Sequence, residues 1–139
     1  MTLHEGLVQF HKKNRMYFSK RAYSQDGINF LRCHDIAHVV FGCDTTLYGE
    51  GVVKIWTTFG TNMSFWQVTK GYREVAAFDL SRKYSLKHVM SHIFSLLIVI
   101  PQVIWRSKQM SKPWPFSDFS PYLNTPISKI REEFNISII

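Results

Sequence analysis

The sequence predicts an all-α protein in which residues 1–139 form a single compact helical bundle, with a metal site between two adjacent helices. Three observations support this fold class. Apolar residues recur at helical spacing along much of the chain, and four of the five prolines are confined to residues 113–126. Two of the clearest helices are joined by only three residues. With 139 residues and 45% hydrophobic composition, the chain can build one core.

The two helices expected to carry the site are predicted over residues 28–41 and about 45–58. No proline interrupts the first, and Gly42 is a typical C-terminal stop. Asp44, Thr45 and Thr46 form an N-cap signal for the second. Because the link is so short, we expect the helices to be neighbours in an antiparallel arrangement.

The N-terminal segment, residues 1–22, is rich in cations and aromatic side chains. A basic amphipathic helix on an anionic membrane surface is one interpretation, and a solvated basic helix is the other. A mitochondrial targeting segment is less well supported, because Glu5 interrupts the acid-poor composition of such segments. The cations of this segment are Lys12, Lys13, Arg15, Lys20 and Arg21.

The remaining elements follow from glycine, proline and apolar runs. Thr61 and Asn62 are expected to cap a short helix around Phe65. An apolar helix is predicted over residues 86–105, kinked or ended near Pro101. An extended aromatic loop over residues 111–126 and a short helix over residues 127–134 complete the chain.

Two histidines and an aspartate lie within five residues of the first site helix. His34 and His38 are an i, i+4 pair and therefore share one helix face. Asp35 is three residues before His38 and flanks the same face. An isolated pair of this kind is more often structural than metal-binding, so the interpretation depends on further ligands.

Glu50 supplies such a ligand from the second helix. It lies between Gly49 and Gly51, and each glycine inside a helix costs about 1 kcal/mol relative to alanine. That cost is understandable if backbone or ligand approaches closely around Glu50. Two imidazoles and two carboxylates suit zinc, and also iron or manganese. Cys33 and Cys43 are interpreted as reduced, buried residues.

The spacing of these residues resembles a known motif. His34-Asp35-x-x-His38, eleven residues and Glu50 match the HDxxH-x11-E motif of the coenzyme Q protein four family of ubiquinone biosynthesis. The segments HDIAHVVFG, YGEGVVKIW and PISKIREEFNI are similar to its neighbouring patterns. The chain departs from that family in its short length, in Cys43-Asp44 and in Asn135, where glycine is common.

The resemblance implies a divalent metal, zinc first, held by His34, Asp35, His38 and Glu50. It also implies a mostly helical protein that lies near membranes, associates with other ubiquinone-biosynthesis proteins, and is linked to loss of the C1 carboxylate from a polyprenylated hydroxybenzoate. The expected location is peripheral, on the cytoplasmic face of a bacterial inner membrane or the matrix side of the mitochondrial inner membrane. A homodimer is left open.

The net charge and the long apolar stretch limit the kinds of partner that the sequence predicts. The net charge of +7 and pI near 9.6 indicate an anionic partner, for which an anionic membrane surface is preferred and nucleic acid is not expected. The 86–105 helix is shorter than a typical span, so a buried or interfacial helix is expected. One apolar face is predicted to form the wall of a cavity for an isoprenoid lipid. Its residues are Ile93, Leu96, Leu97 and Ile100.

Two alternatives to a decarboxylase remain. One is a non-catalytic prenyl-lipid scaffold with a structural metal. The other is an HD-type phosphohydrolase, which would use His4 or His11 with His34-Asp35 and a distant acid such as Asp79. His88 and His92 are a second i, i+4 pair, but the carboxylates of a di-iron bundle are lacking.

Overall fold

In a computed structural model of the chain, the structure describes residues 1–14, 24–76 and 86–139, apart from the side chains of residues 74–76 and 86–89. Within these ranges the regular elements are helical, and the prediction of an all-α, single-domain bundle is confirmed. They are α1 (Leu3–Lys13), α2 (Gln25–Phe41), α3 (Leu47–Gly60), α4 (Phe65–Ala76), α5 (Leu86–Gln109), a 3-10 turn (Ser120–Tyr122) and α6 (Ile127–Phe134).

Helix α2 is the centre of the bundle and contacts α1, α3, α4 and α6. It begins three residues earlier than predicted, because Ser24 Oγ accepts the Gly27 N–H at 3.1 Å. It ends at Gly42, as predicted, in the left-handed region with φ of 69°. Arg131 on α6 donates to the carbonyls of Val39 and Val40, each at 2.9 Å, and so satisfies two carbonyls of the last turn of α2 that have no partner within the helix.

Helix α3 follows after a link of five residues. Thr46 is its N-cap, and its Oγ1 accepts the Gly49 N–H at 3.1 Å. Asp44 shapes the preceding turn instead, since its carboxylate accepts the Thr46 N–H at 3.0 Å. Helices α2 and α3 are in contact, so the predicted pair of neighbouring site helices is present.

The two glycines beside Glu50 are explained by close packing. A Cβ atom at Gly49 would overlap the Asp44 carboxylate and carbonyl, and one at Gly51 would lie 2.5 Å from Leu96 Cδ2. The close approach expected around Glu50 is therefore confirmed, with the α2–α3 turn on one side and α5 on the other.

Helix α4 is longer than predicted and has a different cap. Ser64 Oγ accepts the Gln67 N–H at 3.3 Å, and the Gln67 side chain accepts the Ser64 N–H at 2.8 Å. The prediction of Thr61 and Asn62 as caps is wrong. Asn62 Oδ1 accepts the Phe116 N–H at 3.0 Å and so holds the aromatic loop against α3.

Helix α5 runs through Pro101 to Gln109, so it does not end near this proline, and the alternative of a kink there stays a prediction. Its inner face packs on α3, with Val99 and Val103 fully buried. By length and composition Met90–Gln109 could cross a membrane, and only 11% of this window is buried. Large apolar side chains are exposed along it: Met90, Ile93, Phe94, Leu97, Ile98 and Trp105.

The predicted cavity wall on α5 stays a prediction, and its residues differ in exposure. Ile93 and Leu97 are 43% and 59% exposed, whereas Leu96 packs on Gly51. The four residues straddle the boundary between the inner and outer faces, because the core takes the neighbouring positions Val99 and Val103.

The two ends of the described chain are anchored to each other. Helix α1 has a capping box formed by Thr2 and Glu5, and the Leu3 N–H donates to the Thr125 carbonyl at 3.0 Å. Leu3 and Leu7 are buried and α1 packs on α2. The basic N-terminal segment thus includes a docked amphipathic helix, while its residues 15–22 lie outside the described ranges. Helix α6 has the predicted bounds.

Candidate metal centre

Helices α2 and α3 bring His34, His38 and Glu50 together. The Nε2 atoms of the histidines are 3.1 Å apart. His34 Nε2 is 3.2 Å from Glu50 Oε2, and His38 Nε2 is 3.2 Å from Glu50 Oε1. All three ligand atoms lie within 4.8 Å of one another, so this group could hold a metal ion.

The chemistry of this group fits a divalent cation. The His34 and His38 side chains are 8% and 1% exposed, and Glu50 is 31% exposed. A carboxylate only accepts hydrogen bonds, and each neutral imidazole has one lone pair. One cation would satisfy the three converging atoms at once. Two nitrogens and one oxygen are a suitable donor set for zinc, iron or manganese.

Asp35 lies apart from this group. Its Oδ2 accepts a hydrogen bond from His11 Nε2 on α1 at 2.9 Å. The reason is geometric: Asp35 follows His34 directly, so its side chain is rotated by about 100° round α2, towards α1. Asp35 as a metal ligand stays a prediction, whereas His34, His38 and Glu50 already converge.

Outer contacts orient both imidazoles. His38 Nδ1 lies 3.2 Å from the Cys43 carbonyl, and His34 Nδ1 lies 2.9 Å from Tyr72 Oη on α4. Aromatic rings line the two histidines: Phe10 stacks on His38 at 5.2 Å between centroids. Such partners fix the ring orientation and tautomer of metal-binding histidines.

The aromatic shell continues on the α4 side of the site. Phe30 lies parallel to the His34 ring at 6.4 Å between centroids and meets the Tyr72 ring edge-on at 5.1 Å. A Cβ atom at Gly71 would overlap the Phe30 ring, so the close approach of α4 to α2 needs glycine there. Packing therefore fixes the position of the Tyr72 hydroxyl beside His34.

The two motif carboxyl groups have opposite pKa shifts. Burial alone would raise the pKa of Glu50, but hydrogen bonds from His34 and His38 outweigh it and hold this pKa well below its usual range. For Asp35, burial outweighs the single hydrogen bond from His11, and the pKa is raised. Glu50 is therefore held as a carboxylate, the form that binds a cation.

Lys54, Tyr72 and Thr57 are site residues that the sequence analysis missed. Burial lowers the pKa of Lys54, and the nearby Glu50 carboxylate partly opposes this. The Lys54 ammonium lies 5.1 Å from the Tyr72 ring centroid. Lys54 could have been found from its i, i+4 spacing to Glu50. No local pattern points to Tyr72, because only tertiary packing brings α4 to α2.

The cysteines are free, as interpreted from the sequence, but only Cys33 is buried. Cys43 is half-buried, so its interpretation as a buried residue is wrong. Burial raises the pKa of the Cys33 thiol to about 11 and that of Cys43 to about 12. Both are therefore neutral thiols at neutral pH. They are poor metal ligands in this state, since a metal binds the thiolate.

The second histidine pair is only partly described. His92 is half-buried and lines a cleft of about 400 Å³ with Tyr48, Ser95 and Gln102, among others. The side chain of His88 and all of Asp79 lie outside the described residues. A role for His88 and His92 in metal binding stays a prediction.

No protein-family model, curated protein or solved structure matches this chain.

Proposed function

We propose that this protein is a metal-binding, membrane-associated protein of ubiquinone biosynthesis that removes the C1 carboxylate of a polyprenylated hydroxybenzoate. One observation carries the proposal: His34, His38 and Glu50 have the spacing of the motif described above and converge within 4.8 Å. The helix contacts that bring them together were not part of the motif resemblance, so they support it independently.

The number of converging ligands favours catalysis over a purely structural metal. Structural zinc sites have four protein ligands, whereas catalytic sites have three, including sets of two histidines and one glutamate. Asp35 is bonded to His11 and leaves three. A bound divalent metal would supply Lewis-acid stabilisation of charge on a carboxylate or phenolate oxygen.

Lys54 would assist the same reaction. Its ammonium lies beside Tyr72 and near Glu50, where it can attract an anionic substrate. Decarboxylation breaks the bond between the ring carbon and the carboxylate, and the electron pair stays on the ring carbon. Carbon dioxide leaves, the carbon takes a proton from the Lys54 ammonium, and Lys54 regains a proton from solvent. Because its pKa is lowered, Lys54 is a stronger acid than an exposed lysine.

The outer face of α5 would hold the protein on an anionic membrane surface. Phe94, Leu97 and Ile98 are 59–70% exposed, and Trp105 and Lys108 follow near the end of the helix. Aromatic and cationic residues at the end of an apolar helix are typical of membrane-interface anchors. In this arrangement the prenyl tail of the substrate stays in the lipid while its ring reaches the metal centre. Other ubiquinone-biosynthesis proteins and a second copy of the chain are further proposed partners.

The experiment uses a short-chain prenylated hydroxybenzoate with a carbon-13 label in its C1 carboxylate. Zinc-loaded protein is expected to release labelled carbon dioxide, and His38→Ala is expected to release none. Lys54→Met should release much less labelled carbon dioxide than the wild type while retaining the metal. Lys54→Arg keeps the positive charge and is the matched control. Stoichiometric metal without any labelled carbon dioxide would contradict the enzyme and favour the non-catalytic lipid-binding scaffold.

An HD-type phosphohydrolase is the second candidate, favoured by the contact between His11 and Asp35. The orientation of His34 opposes it. Its Nε2 faces His38 and Glu50, and its Nδ1 faces Tyr72, so neither nitrogen is directed to His11. Metal-dependent release of phosphate from nucleotides, abolished by His11→Ala, would support this candidate over the decarboxylase.

A further inference from the structure

We infer that a cleft between α1 and α6, beside the C-terminal end of α2, binds a small organic anion: a carboxylate or phosphate group on an apolar body. This α1–α6 cleft has a volume of about 470 Å³, which lies within the range of small-molecule sites in proteins. Phe10, Lys13, Val39, Ile127 and Arg131 are among its lining residues. The inference adds a second site and does not depend on a bound metal.

Lysine and arginine side chains give the α1–α6 cleft its charge. Lys13 lies in the last turn of α1 and Arg131 lies on α6, and both line the cleft. No aspartate or glutamate is among the described residues that line it. Two cations in a concave site whose lining has no carboxylate raise the local concentration of anions. The charge therefore favours an anionic ligand.

Arg131 is held in place before a ligand binds. Its Nε and Nη2 atoms donate to the carbonyls of Val40 and Val39, each at 2.9 Å. A guanidinium has five N–H donors, so others can still donate to an anion. Its planar group suits a carboxylate or a phosphate, because each has two or more acceptor oxygens. Since the backbone of α2 already fixes this side chain, little conformational entropy is lost when it binds a ligand.

The other part of the lining is apolar and closely packed. Phe10, Val39 and Ile127 contribute apolar side chains. A Cβ atom at Gly6 would lie 2.7 Å from Ile127 Cδ1 and 2.9 Å from Val39 Cγ1, so α1 passes close to both neighbouring helices there. Lys13 is seven residues further along α1, which is about 10 Å. A ligand with an apolar body and an anionic group at one end matches this arrangement.

The α1–α6 cleft lies beside the metal centre and is separate from it. Phe10, which stacks on His38 at 5.2 Å between centroids, and Cys43, whose carbonyl lies 3.2 Å from His38 Nδ1, both line the cleft. His34 and Glu50 are not among the described residues that line it. The His38 side chain is 1% exposed, so an anion in the cleft does not reach the converging ligand atoms. Binding is therefore expected in the metal-free protein.

The test titrates the full, metal-free chain with hexanoate and follows the backbone amide signals by proton–nitrogen NMR. Saturable shifts are expected at Phe10, Val39 and Arg131. Hexanamide has the same shape without the charge and should bind at least about 10-fold more weakly, because it lacks charge-assisted hydrogen bonds. Hexyl phosphate and dihexanoylphosphatidylglycerol distinguish the sources of the anion. Tighter binding of the phospholipid would identify a lipid headgroup, and tighter binding of hexanoate or hexyl phosphate a free organic acid.

Matched variants on the exposed surface of α1 locate the site. Lys13→Glu should weaken hexanoate binding by about 5-fold, because it reverses a nearby charge. Lys12→Glu makes the same change of charge outside the lining and should have little effect. Gln9→Trp places a large side chain in the cleft and should abolish binding, whereas Val8→Trp is the control outside the lining.

Four results would overturn the inference. They are the absence of saturable shifts with all three anions, binding of hexanamide as tight as that of hexanoate, equal losses in Lys12→Glu and Lys13→Glu, and unchanged binding in Gln9→Trp. Glu50→Gln separates this site from the metal centre. It should retain hexanoate binding, and a loss of binding in this variant would place the anion at the metal centre instead.

Discussion

The α2–α3 interface and the outer face of α5 both depart from the usual distribution of side chains, in which apolar groups are buried and polar groups are exposed. The interface buries polar groups, with His38 only 1% exposed, whereas the outer face leaves Phe94 and Leu97 mostly exposed. Buried polar groups and exposed apolar patches are the more informative departures from an ordinary protein surface and core. The proposals above assign a cation to the first and an apolar membrane surface to the second.

The two regions also differ in how firmly they are built. Around the polar group, packing fixes the approach of α3 to α2, and aromatic rings hold the imidazoles. The outer face of α5 has no comparable set of contacts among the described residues. The regions meet where Leu96 on the inner face of α5 packs on Gly51, next to Glu50. The polar group is therefore preorganised by its surroundings, and it is supported by a helix whose other side is apolar and exposed.

The largest expected effect is the gain in stability when zinc binds. This gain should depend on the α2–α3 interface and not on the outer face of α5. Zinc at about 100 times its dissociation constant should raise the free energy of unfolding by about 2.7 kcal/mol, because only the folded chain brings the ligands together. Glu50→Gln should lose this gain, measured by denaturant unfolding with and without zinc. A Phe94→Ser/Leu97→Ser/Ile98→Ser triple variant should keep it. If the triple variant loses the gain and Glu50→Gln keeps it, the division of roles is wrong.

The next effect is on membrane binding. The same triple variant should bind phosphatidylglycerol-containing vesicles with a free energy weaker by about 2 kcal/mol, since three partly inserted apolar side chains are removed. Val8→Ser, which removes an exposed apolar side chain from α1, is the control and should change binding little. Binding should also weaken at 1 M salt, where the screening length falls to about 3 Å. Attachment that withstands both high salt and alkaline extraction would indicate a spanning helix instead.

The contact between Gly51 and Leu96, where the two regions meet, gives an effect of intermediate size on the free energy of unfolding. Gly51→Ala should lower the free energy of unfolding by about 1 kcal/mol, because the new methyl group displaces Leu96. In a Leu96→Ala background the same change should be neutral or stabilising, since alanine is the better helix former. Denaturant unfolding of the four proteins in this double-mutant cycle measures the coupling. Equal effects of Gly51→Ala in both backgrounds would contradict the proposed contact between α3 and α5.

The smallest expected effect is on the pH dependence of stability and concerns Asp35, whose pKa is raised. The folded state holds this proton more tightly than the unfolded state, so ionisation costs stability as the pH rises through the folded pKa. Metal-free Asp35→Asn should therefore gain stability relative to the wild type at pH 7 compared with pH 4, by less than about 1 kcal/mol.

The zinc affinity of the Asp35→Asn variant sharpens the comparison further. It should equal that of the wild type if three ligands suffice. A loss of 10-fold or more, matched by His11→Ala gaining affinity as Asp35 is released, would instead make Asp35 the fourth ligand.

The sequence predicted the C-terminal end of α2 and both ends of α6 because local signals decide them: a left-handed Gly42 and an uninterrupted apolar pattern after Pro126. It predicted His34, His38 and Glu50 because helical spacing and a short link bring them together. It could not place Tyr72, which depends on how α4 packs on α2. It could not tell which face of α5 packs in the core, since a helix that is apolar on all sides carries no periodic signal of its orientation.

Metal analysis of the purified protein tests the central claim most directly, that His34, His38 and Glu50 hold a divalent metal. Elemental mass spectrometry after dialysis should find about one zinc, iron or manganese per chain in the wild type, which is the stoichiometry of a single site of this donor set. His38→Ala should have none while keeping its helical circular dichroism spectrum. A folded His38→Ala that retains the full metal content, or a wild type that holds no metal after incubation with zinc, would contradict the claim.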